Sequence, residues 1–186
     1  MDCGGSSGSA VTPSPAGLKK ASQLPPLSTT LEPPQENEVL ELDELWSFIG
    51  RRKNKRWVWL AQCRRTRQIV AYAIGNRGQE TCQVLWDRLP ESYKTGRLYT
   101  DFWDAYAHVL PAEQHQATGK GDGQTCHVER LNNTLRQRMA RLVRQTLSFS
   151  KLDSMHDACL RLFLDEHNQP KYQQPSRRRN KTIKHY

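Results

Sequence analysis

The sequence contains no apolar run long enough to cross a membrane. A membrane-spanning helix needs about 20 consecutive apolar residues, whereas this chain of 186 residues has 25% charged residues and a mean hydropathy of −0.81. The N-terminus also lacks the apolar segment of a secretory signal peptide. These absences exclude a membrane protein and a small secreted protein, and they predict a cytoplasmic chain.

Closely spaced cysteine pairs are also absent. The chain has five cysteines, and no two of them lie within four residues of each other. The Cys-x-x-Cys pairs of zinc ribbons and zinc fingers are therefore missing. The odd number and wide spacing of the cysteines favour reduced thiols in an intracellular protein.

Positive charge is concentrated in the later part of the chain. The whole sequence carries a net charge of +9, from 28 Lys and Arg against 19 Asp and Glu. Residues 1–38 contain two lysines and four acidic residues, a net of −2, so the remaining 148 residues carry +11. This excess favours a polyanionic partner such as a nucleic acid.

Composition divides the chain into three parts. Residues 1–38 are rich in Gly, Ser, Pro and Thr and contain no aromatic residue. They cannot bury enough apolar surface to offset the entropy cost of ordering, so we predict a disordered low-complexity leader. Residues 39–168 carry the strand and helix patterns of one folded domain. Residues 169–186 form a basic C-terminal tail that we expect to be frayed.

The apolar pattern of the middle part predicts an α/β fold. Three runs rich in β-branched and aromatic residues, VLELDELWSFIG, RWVWLAQCR and QIVAYAIG, predict an antiparallel meander, with RRKNKR as a basic turn. Helix QETCQVLWDRLP, strand RLYTD, helix FWDAYAHVL and a weak strand HQATGK follow. Helices at about 125–144 and 151–166 complete the order βββ-α-β-α-β-α-α.

Three carboxylates stand where such a fold places functional groups. Asp43 lies within the first strand among apolar residues, and Asp101 ends the strand that follows the first helix. A buried carboxylate is costly unless it is paired or bound to a metal ion, and sites gather at strand ends in α/β sheets. Glu129 lies in the first turns of the long helix, on a face that also carries basic residues.

These residue types suit metal-dependent chemistry on DNA. Carboxylate oxygens hold Mg²⁺ or Mn²⁺, and two such ions roughly 3.5–4 Å apart can assist phosphodiester displacement. The alternative is that Asp43 is a solvated strand residue and that Glu129 is favoured at its helix N-terminus by the helix dipole.

Four segments resemble one family of enzymes. ELDELWSFIG, WVWLAQCRRTRQIVAYAIG, LYTDFWDAY and the stretch from HVERLNN to RQTLSFSK are similar, in this order, to the DDE transposases of the insertion-sequence-one family, InsB type. The similarity runs from about Asp43 to Asn168. It implies a ribonuclease H-like mixed sheet (βββαβαβα) with an additional C-terminal helix.

The resemblance also implies a function. It identifies Asp43, Asp101 and Glu129 as the catalytic and metal-binding triad, with two ions of Mg²⁺ or Mn²⁺ as cofactors. It implies cleavage of DNA at insertion-sequence ends and strand transfer into target DNA, by a homo-oligomer assembled on DNA in the nucleoid. The basic residues expected to contact DNA are Arg51, Arg52, Lys53, Lys55, Arg56, Arg136 and Arg144.

The N-terminal part differs from the family pattern. Full-length family enzymes carry a zinc-binding module and a helix-turn-helix, and nothing in residues 1–38 resembles either. We therefore interpret the chain as the catalytic half, whose partner could be such a module encoded in an upstream frame. Two alternatives stay open at this point: a non-catalytic DNA-binding remnant that regulates transposition, and a metal-dependent nuclease that cleaves without joining.

Overall fold

The structure is a computed structural model, and it describes residues 15–119, 121–143 and 147–169. The predicted basic tail, apart from Gln169, lies outside the described residues. Within those ranges, no helix combines the length and the apolar character that crossing a bilayer requires.

The described residues form five strands and five helices. The strands are β1 (Val39–Ile49), β2 (Arg51–Cys63), β3 (Ile69–Gly75), β4 (Arg97–Thr100) and β5 (His115–Ala117). The helices are α1 (Pro15–Ser22), α2 (Gln79–Arg88), α3 (Asp104–Val109), α4 (Cys126–Arg138) and α5 (Asp153–Asn168). Short 3-10 turns cover Leu27–Thr30, Glu91–Tyr93 and Ala140–Leu142.

The strands form one mixed sheet in the order β3-β2-β1-β4-β5. The first three strands pair antiparallel as a meander, and β4 and β5 continue the sheet parallel to β1. The predicted α/β class is confirmed, as is the predicted element order within residues 39–168, which helix α1 precedes, and the sheet is consistent with a ribonuclease H-like fold. The connections between the parallel neighbours, from β1 to β4 and from β4 to β5, each contain a helix, as is usual for crossovers between parallel strands.

Helices cover both faces of the sheet, and β1 contributes side chains to two cores. On one face, Leu40 and Leu42 pack in a cluster with residues of α2 and α3. On the other face, Leu45 packs in a cluster with residues of α4 and α5. Successive strand residues point to opposite faces, so Asp43 lies on the α4 face and Glu44 lies on the α2 and α3 face.

Two boundaries differ from those predicted. RRKNKR is not a turn, because these residues begin β2 and extend the β1–β2 hairpin with side chains mostly exposed to solvent. Charged side chains are compatible with a solvent-exposed part of a strand as well as with a turn, so a run of charged residues does not distinguish the two. The helix predicted over 125–144 ends at Arg138 and is followed by a 3-10 turn.

The disorder predicted for residues 1–38 is wrong for residues 15–38. Helix α1 packs against α5, and Leu27 is buried in the core between the sheet, α4 and α5. The side chain of Gln68 fixes the segment, since its Nε2 donates to the Thr30 carbonyl at 2.7 Å and its Oε1 accepts the Glu32 N–H at 2.8 Å. Residues 1–14 lie outside the described residues.

Candidate active site

Two of the predicted carboxylates lie side by side at the edge of the sheet. The pairing of β4 with β1 begins at Val39 and stops at Glu41, and β4 ends at Thr100. Strand β1 continues beyond Glu41 to Ile49 without a partner strand on this side among the described residues. Asp101 therefore follows the carboxyl end of β4 next to the exposed flank of β1. Carboxylate oxygens of Asp43, Asp101 and also Glu44 lie within 4.8 Å of one another.

Asp43 occupies a polar pocket on the α4 face. Its Oδ1 accepts the N–H of Glu44 at 2.8 Å, and its Oδ2 accepts the Nδ2 of Asn132 at 2.7 Å. Burial raises the pKa of Asp43 to about 7, and the negative charges of Glu44 and Asp101 add to this effect. A divalent cation would relieve this crowding of negative charge.

Glu129 reaches the same cleft from the first turn of α4. Its Oε1 accepts a hydrogen bond from the Thr125 hydroxyl at 3.0 Å. Glu129 does not belong to the group of oxygens within 4.8 Å, but Asn132, one turn later on the same helix face, contacts Asp43 directly. Asp43, Asp101 and Glu129 therefore share one cleft, with the third carboxylate set back from the other two.

The cleft suits hydrated divalent ions. Its volume is about 520 Å³, and its walls come from β1, β2, the end of β4 and α4. The Oδ1 atom of Asn132 is buried and has no hydrogen-bond partner among the described residues. Carboxylate oxygens and a free amide oxygen are the hard donors that Mg²⁺ and Mn²⁺ prefer, so these residues fit such a group.

Glu44 is a carboxylate that sequence reasoning missed as part of the site. It is 8% exposed, and its Oε1 accepts the Nε of Arg77 at 2.7 Å while its Oε2 accepts the Tyr106 hydroxyl at 2.9 Å. Burial raises the pKa of Glu44 even though the hydrogen bond from Arg77 opposes this. The only sequence signal was a second acidic residue beside Asp43 in an apolar strand.

Arg77 lies between two tryptophan rings at the side of the cleft. The guanidinium carbon is 4.5 Å from the ring centre of Trp57 and 3.8 Å from that of Trp103. The indole N–H of Trp103 donates to the Arg77 carbonyl at 3.0 Å, and its backbone N–H donates to Asp101 Oδ1 at 3.0 Å. Arg77, Trp103 and Asp101 therefore form one connected unit.

The predicted DNA-binding residues differ in their exposure and in their partners. Arg51, Arg52 and Lys53 are exposed at the start of β2, and no described carboxylate forms an ion pair with them. Lys55 lies 5.4 Å from the ring centre of Trp46, a cleft residue.

The other predicted basic residues are more constrained or lie elsewhere. The Nε of Arg56 is 2.7 Å from a carboxylate oxygen of Asp153, so its charge is already balanced. Arg136 lines the cleft and donates to the Leu142 carbonyl at 3.0 Å. Arg144 lies outside the described residues.

Comparison with known proteins identifies relatives of one kind. A sequence model of the IS1 transposase family matches residues 38–170. The chain is 37% identical over 129 residues to the insertion element iso-IS1n protein InsB of Shigella dysenteriae, covering 69% of this chain and 95% of the relative. It is 34% identical over 125 residues to the insertion element IS1 protein InsB of Shigella flexneri, covering 67% and 92%.

A third relative extends the similarity. The insertion element IS1 4 protein InsB of Escherichia coli K12 is 32% identical over 146 residues, which are 77% of this chain and 85% of the relative. The family match covers the sheet, both Asp43 within β1 and Asp101 after β4, and α4 and α5. The chain belongs to the IS1 transposase family.

Proposed function

We propose that this transposase cleaves DNA and transfers strands with the help of two divalent ions, Mg²⁺ or Mn²⁺, held by Asp43, Asp101 and Glu129. One observation carries this proposal. Asp43 and Asp101 come from neighbouring strands and bring their oxygens within 4.8 Å, in a cleft that Glu129 also lines. Burial, together with the negative charges of Glu44 and Asp101, raises the pKa of Asp43 to about 7, and a bound cation would favour its charged form.

The residues around the cleft would hold the ions and orient the carboxylates that bind them. Bound ions would polarise the scissile phosphate and activate the attacking oxygen, first of water and then of a DNA 3′-hydroxyl. Asn132 holds Oδ2 of Asp43 in one orientation through its Nδ2. Trp103 fixes Oδ1 of Asp101 through its backbone N–H.

We propose DNA as the partner of the basic surfaces. Arg51, Arg52 and Lys53 project from the β1–β2 hairpin, and Arg136 lies in the cleft wall. Lysine and arginine at such positions neutralise backbone phosphates without reading bases. The acidic centre would then bind ions while the surrounding cations hold the duplex.

A non-catalytic remnant is not favoured. Such a protein needs only the basic surface and the fold, and nothing would maintain a closely spaced acidic group on neighbouring strands. Here all three triad carboxylates are present in one cleft, and the half-buried Asp43 carboxylate, beside two other carboxylates, would be costly without a cation.

The proposal is tested by replacing each triad carboxylate with its amide. Asp43→Asn, Asp101→Asn and Glu129→Gln keep side-chain shape but lose the charge that holds an ion. Each should reduce Mg²⁺-dependent cleavage of a duplex carrying the element end at least about 100-fold. Asp104→Asn is the matched control, because Asp104 is exposed, three residues after Asp101 and outside the acidic group.

Near-normal cleavage by any one of the three variants would remove that residue from the triad. The joined product should be measured in the same reactions, since a nuclease would release cut DNA without joining it to target. Calorimetric titration with Mn²⁺ provides a second readout that does not depend on the correct DNA end.

A further inference from the structure

Glu44 belongs to the acidic group of the cleft, yet both of its oxygens are already engaged. Arg77 contacts Oε1 with two nitrogens, and the buried Tyr106 hydroxyl donates to Oε2. Asp43 and Asp101, by contrast, have no cationic partner among the described residues. The three carboxylates are close together but electrostatically unequal.

The structure holds Arg77 firmly in this position. Its guanidinium is stacked between the rings of Trp57 and Trp103, and its carbonyl accepts the Trp103 indole N–H. A flat, permanently charged guanidinium can stack on aromatic rings and bind a carboxylate with two nitrogens at once, which an ammonium group cannot. The stack therefore keeps a positive charge on Glu44 whatever else enters the cleft.

We propose that Arg77 masks Glu44, so that divalent ions are bound by Asp43, Asp101 and Glu129 and not by Glu44. This inference rests on the proposed metal-dependent function. Without the arginine, three adjacent carboxylates would offer three unit charges, and Glu44 would draw ions toward the α2 and α3 face of the sheet. With it, only the two aspartates at the edge remain uncompensated, beside the helix that carries Glu129.

The competing possibility is that Glu44 is itself a ligand that leaves Arg77 when an ion arrives. The two models predict different effects for a pair of variants. Arg77→Gln exposes the Glu44 charge, so masking predicts tighter ion binding. The double variant Glu44→Gln/Arg77→Gln removes both charges together, so masking predicts affinity close to that of the wild type, whereas a ligand role predicts a loss.

Calorimetric titration of the full chain with Mn²⁺ separates these models. If Arg77 masks Glu44, the dissociation constant of Arg77→Gln falls at least about fivefold, since one nearby cation has been removed from a poorly screened site. The double variant stays within about twofold of the wild type. Arg97→Gln on β4 is the charge-matched control, because Arg97 is exposed and outside the cleft.

Three results would overturn parts of this picture in distinguishable ways. Arg77→Gln binding no more tightly than Arg97→Gln would exclude masking. A double variant that binds as poorly as Asp101→Asn would make Glu44 a ligand, and it gives this answer even if Arg77→Gln does not fold. A wild-type chain that binds no Mn²⁺ would instead reject the proposed metal-dependent function.

Discussion

The buried carboxylate of Glu41 accepts a hydrogen bond from the backbone N–H of His127 at 2.9 Å. It also accepts the N–H of Val128 at 3.1 Å and pairs with the Nε of Arg64 at 2.8 Å. Burial alone would raise the pKa of Glu41, but the His127 ring, whose Nδ1 lies 2.6 Å from Oε1, together with Arg64 and the two N–H groups, brings it below its usual value. The charge satisfies the first N–H groups of α4 and so fastens the helix that carries Glu129 to strand β1.

Removal of this anchor should destabilise the protein. Glu41→Ala leaves the N–H groups of His127 and Val128 without their acceptor and Arg64 without its carboxylate partner, and we expect a loss of about 3 kcal/mol in the free energy of unfolding. Urea denaturation followed by circular dichroism measures this loss. Glu91→Ala is the control, because Glu91 forms only an exposed pair with Lys94, and its effect should stay below about 0.5 kcal/mol.

The crowded carboxylate of Asp43 should oppose folding at alkaline pH. Its folded pKa of about 7 lies above its unfolded value, so its stabilising contribution is present at low pH and is lost as the pH rises through 7. Asp43→Asn cannot ionise, although its amide nitrogen replaces one of two oxygens that each accept an N–H group, which offsets part of the gain. Without divalent ions we expect this variant to be more stable than the wild type at pH 8, by about 3 kcal/mol.

The same comparison at pH 5 should show a much smaller difference. Adding Mn²⁺ should stabilise the wild type but not Asp43→Asn, because ion binding to the folded state alone shifts the unfolding equilibrium. Asp104→Asn should follow the wild type at both pH values. A variant no more stable than the wild type at pH 8 would contradict the electrostatic strain assigned to this carboxylate.

Local sequence patterns were sufficient to predict the strand that carries Asp43 and the strand end that carries Asp101. Both depend on apolar periodicity within a few residues, and the structure brings them together. The roles of Glu41 and Glu44 depend on partners far along the chain, including His127 and Arg77. No local pattern distinguishes a paired carboxylate from a solvated one.

Amino-acid composition also failed to predict that residues 15–38 are ordered. Their apolar content is too low for independent folding, but α1 packs one of its faces against α5, which supplies the apolar surface that the segment itself lacks. Polar side chains complete the attachment, since Asn168 on α5 donates to the Thr30 hydroxyl at 3.0 Å. A composition argument treats the segment as isolated and therefore overestimates its ordering cost.

This attachment leads to a prediction about Leu27. The side chain is buried in the core formed with α4 and α5, so Leu27→Ala should reduce the free energy of unfolding by about 2–3 kcal/mol. Thermal and urea unfolding measure the effect. Ser28→Ala changes an exposed neighbour and should stay within about 0.5 kcal/mol of the wild type. Equal stabilities for the two variants would mean that the segment contributes no packing energy.

A buried histidine should make the protein sensitive to acid. His156 contacts the hydroxyls of Ser47 at 3.0 Å and Ser150 at 3.3 Å, and Arg141 donates to the same Ser150 hydroxyl. Burial lowers the pKa of His156 to about 4, and the nearby Arg141 charge adds to this. Its neutral form is thus part of the contact between β1 and the segment that precedes α5.

The sign of the effect follows from the two pKa values. The unfolded histidine binds its proton near pH 6.5 and the folded one only near pH 4, so stability is complete above pH 6.5 and declines between these values, by about 3 kcal/mol. His156→Gln should show a flatter profile over this range. The comparison is made in the Asp43→Asn background, which removes a contribution of opposite sign, with the exposed His108→Gln as control.

The basic hairpin should contribute to DNA affinity through charge rather than sequence. Arg51, Arg52 and Lys53 are exposed strand residues whose side chains face no described acidic partner. Each phosphate contact contributes about −0.9 to the slope of log affinity against log salt concentration. Replacing all three with Gln should therefore make the slope shallower by up to about 2.7.

A fluorescence titration of labelled duplexes at about 50 and 200 mM salt measures this slope. Over that range the affinity loss of the triple variant should be smaller than that of the wild type by up to about 40-fold. Lys19→Gln/Lys20→Gln is the control, since it removes two exposed charges from α1 and should leave the slope nearly unchanged. An unchanged slope in the triple variant would show that DNA does not contact the hairpin.

The same titrations test whether the chain reads DNA sequence. Base readout needs side chains held against base edges by an element that enters a groove, and the basic side chains of the hairpin are aimed by no such helix. We therefore expect an inverted-repeat duplex and a scrambled duplex to bind with affinities within about tenfold, equivalent to roughly 1.4 kcal/mol. If the wild type prefers the inverted repeat by more than this and the triple variant keeps the preference, another part of this chain recognises the element end. If the triple variant loses the preference, the hairpin recognises the element end.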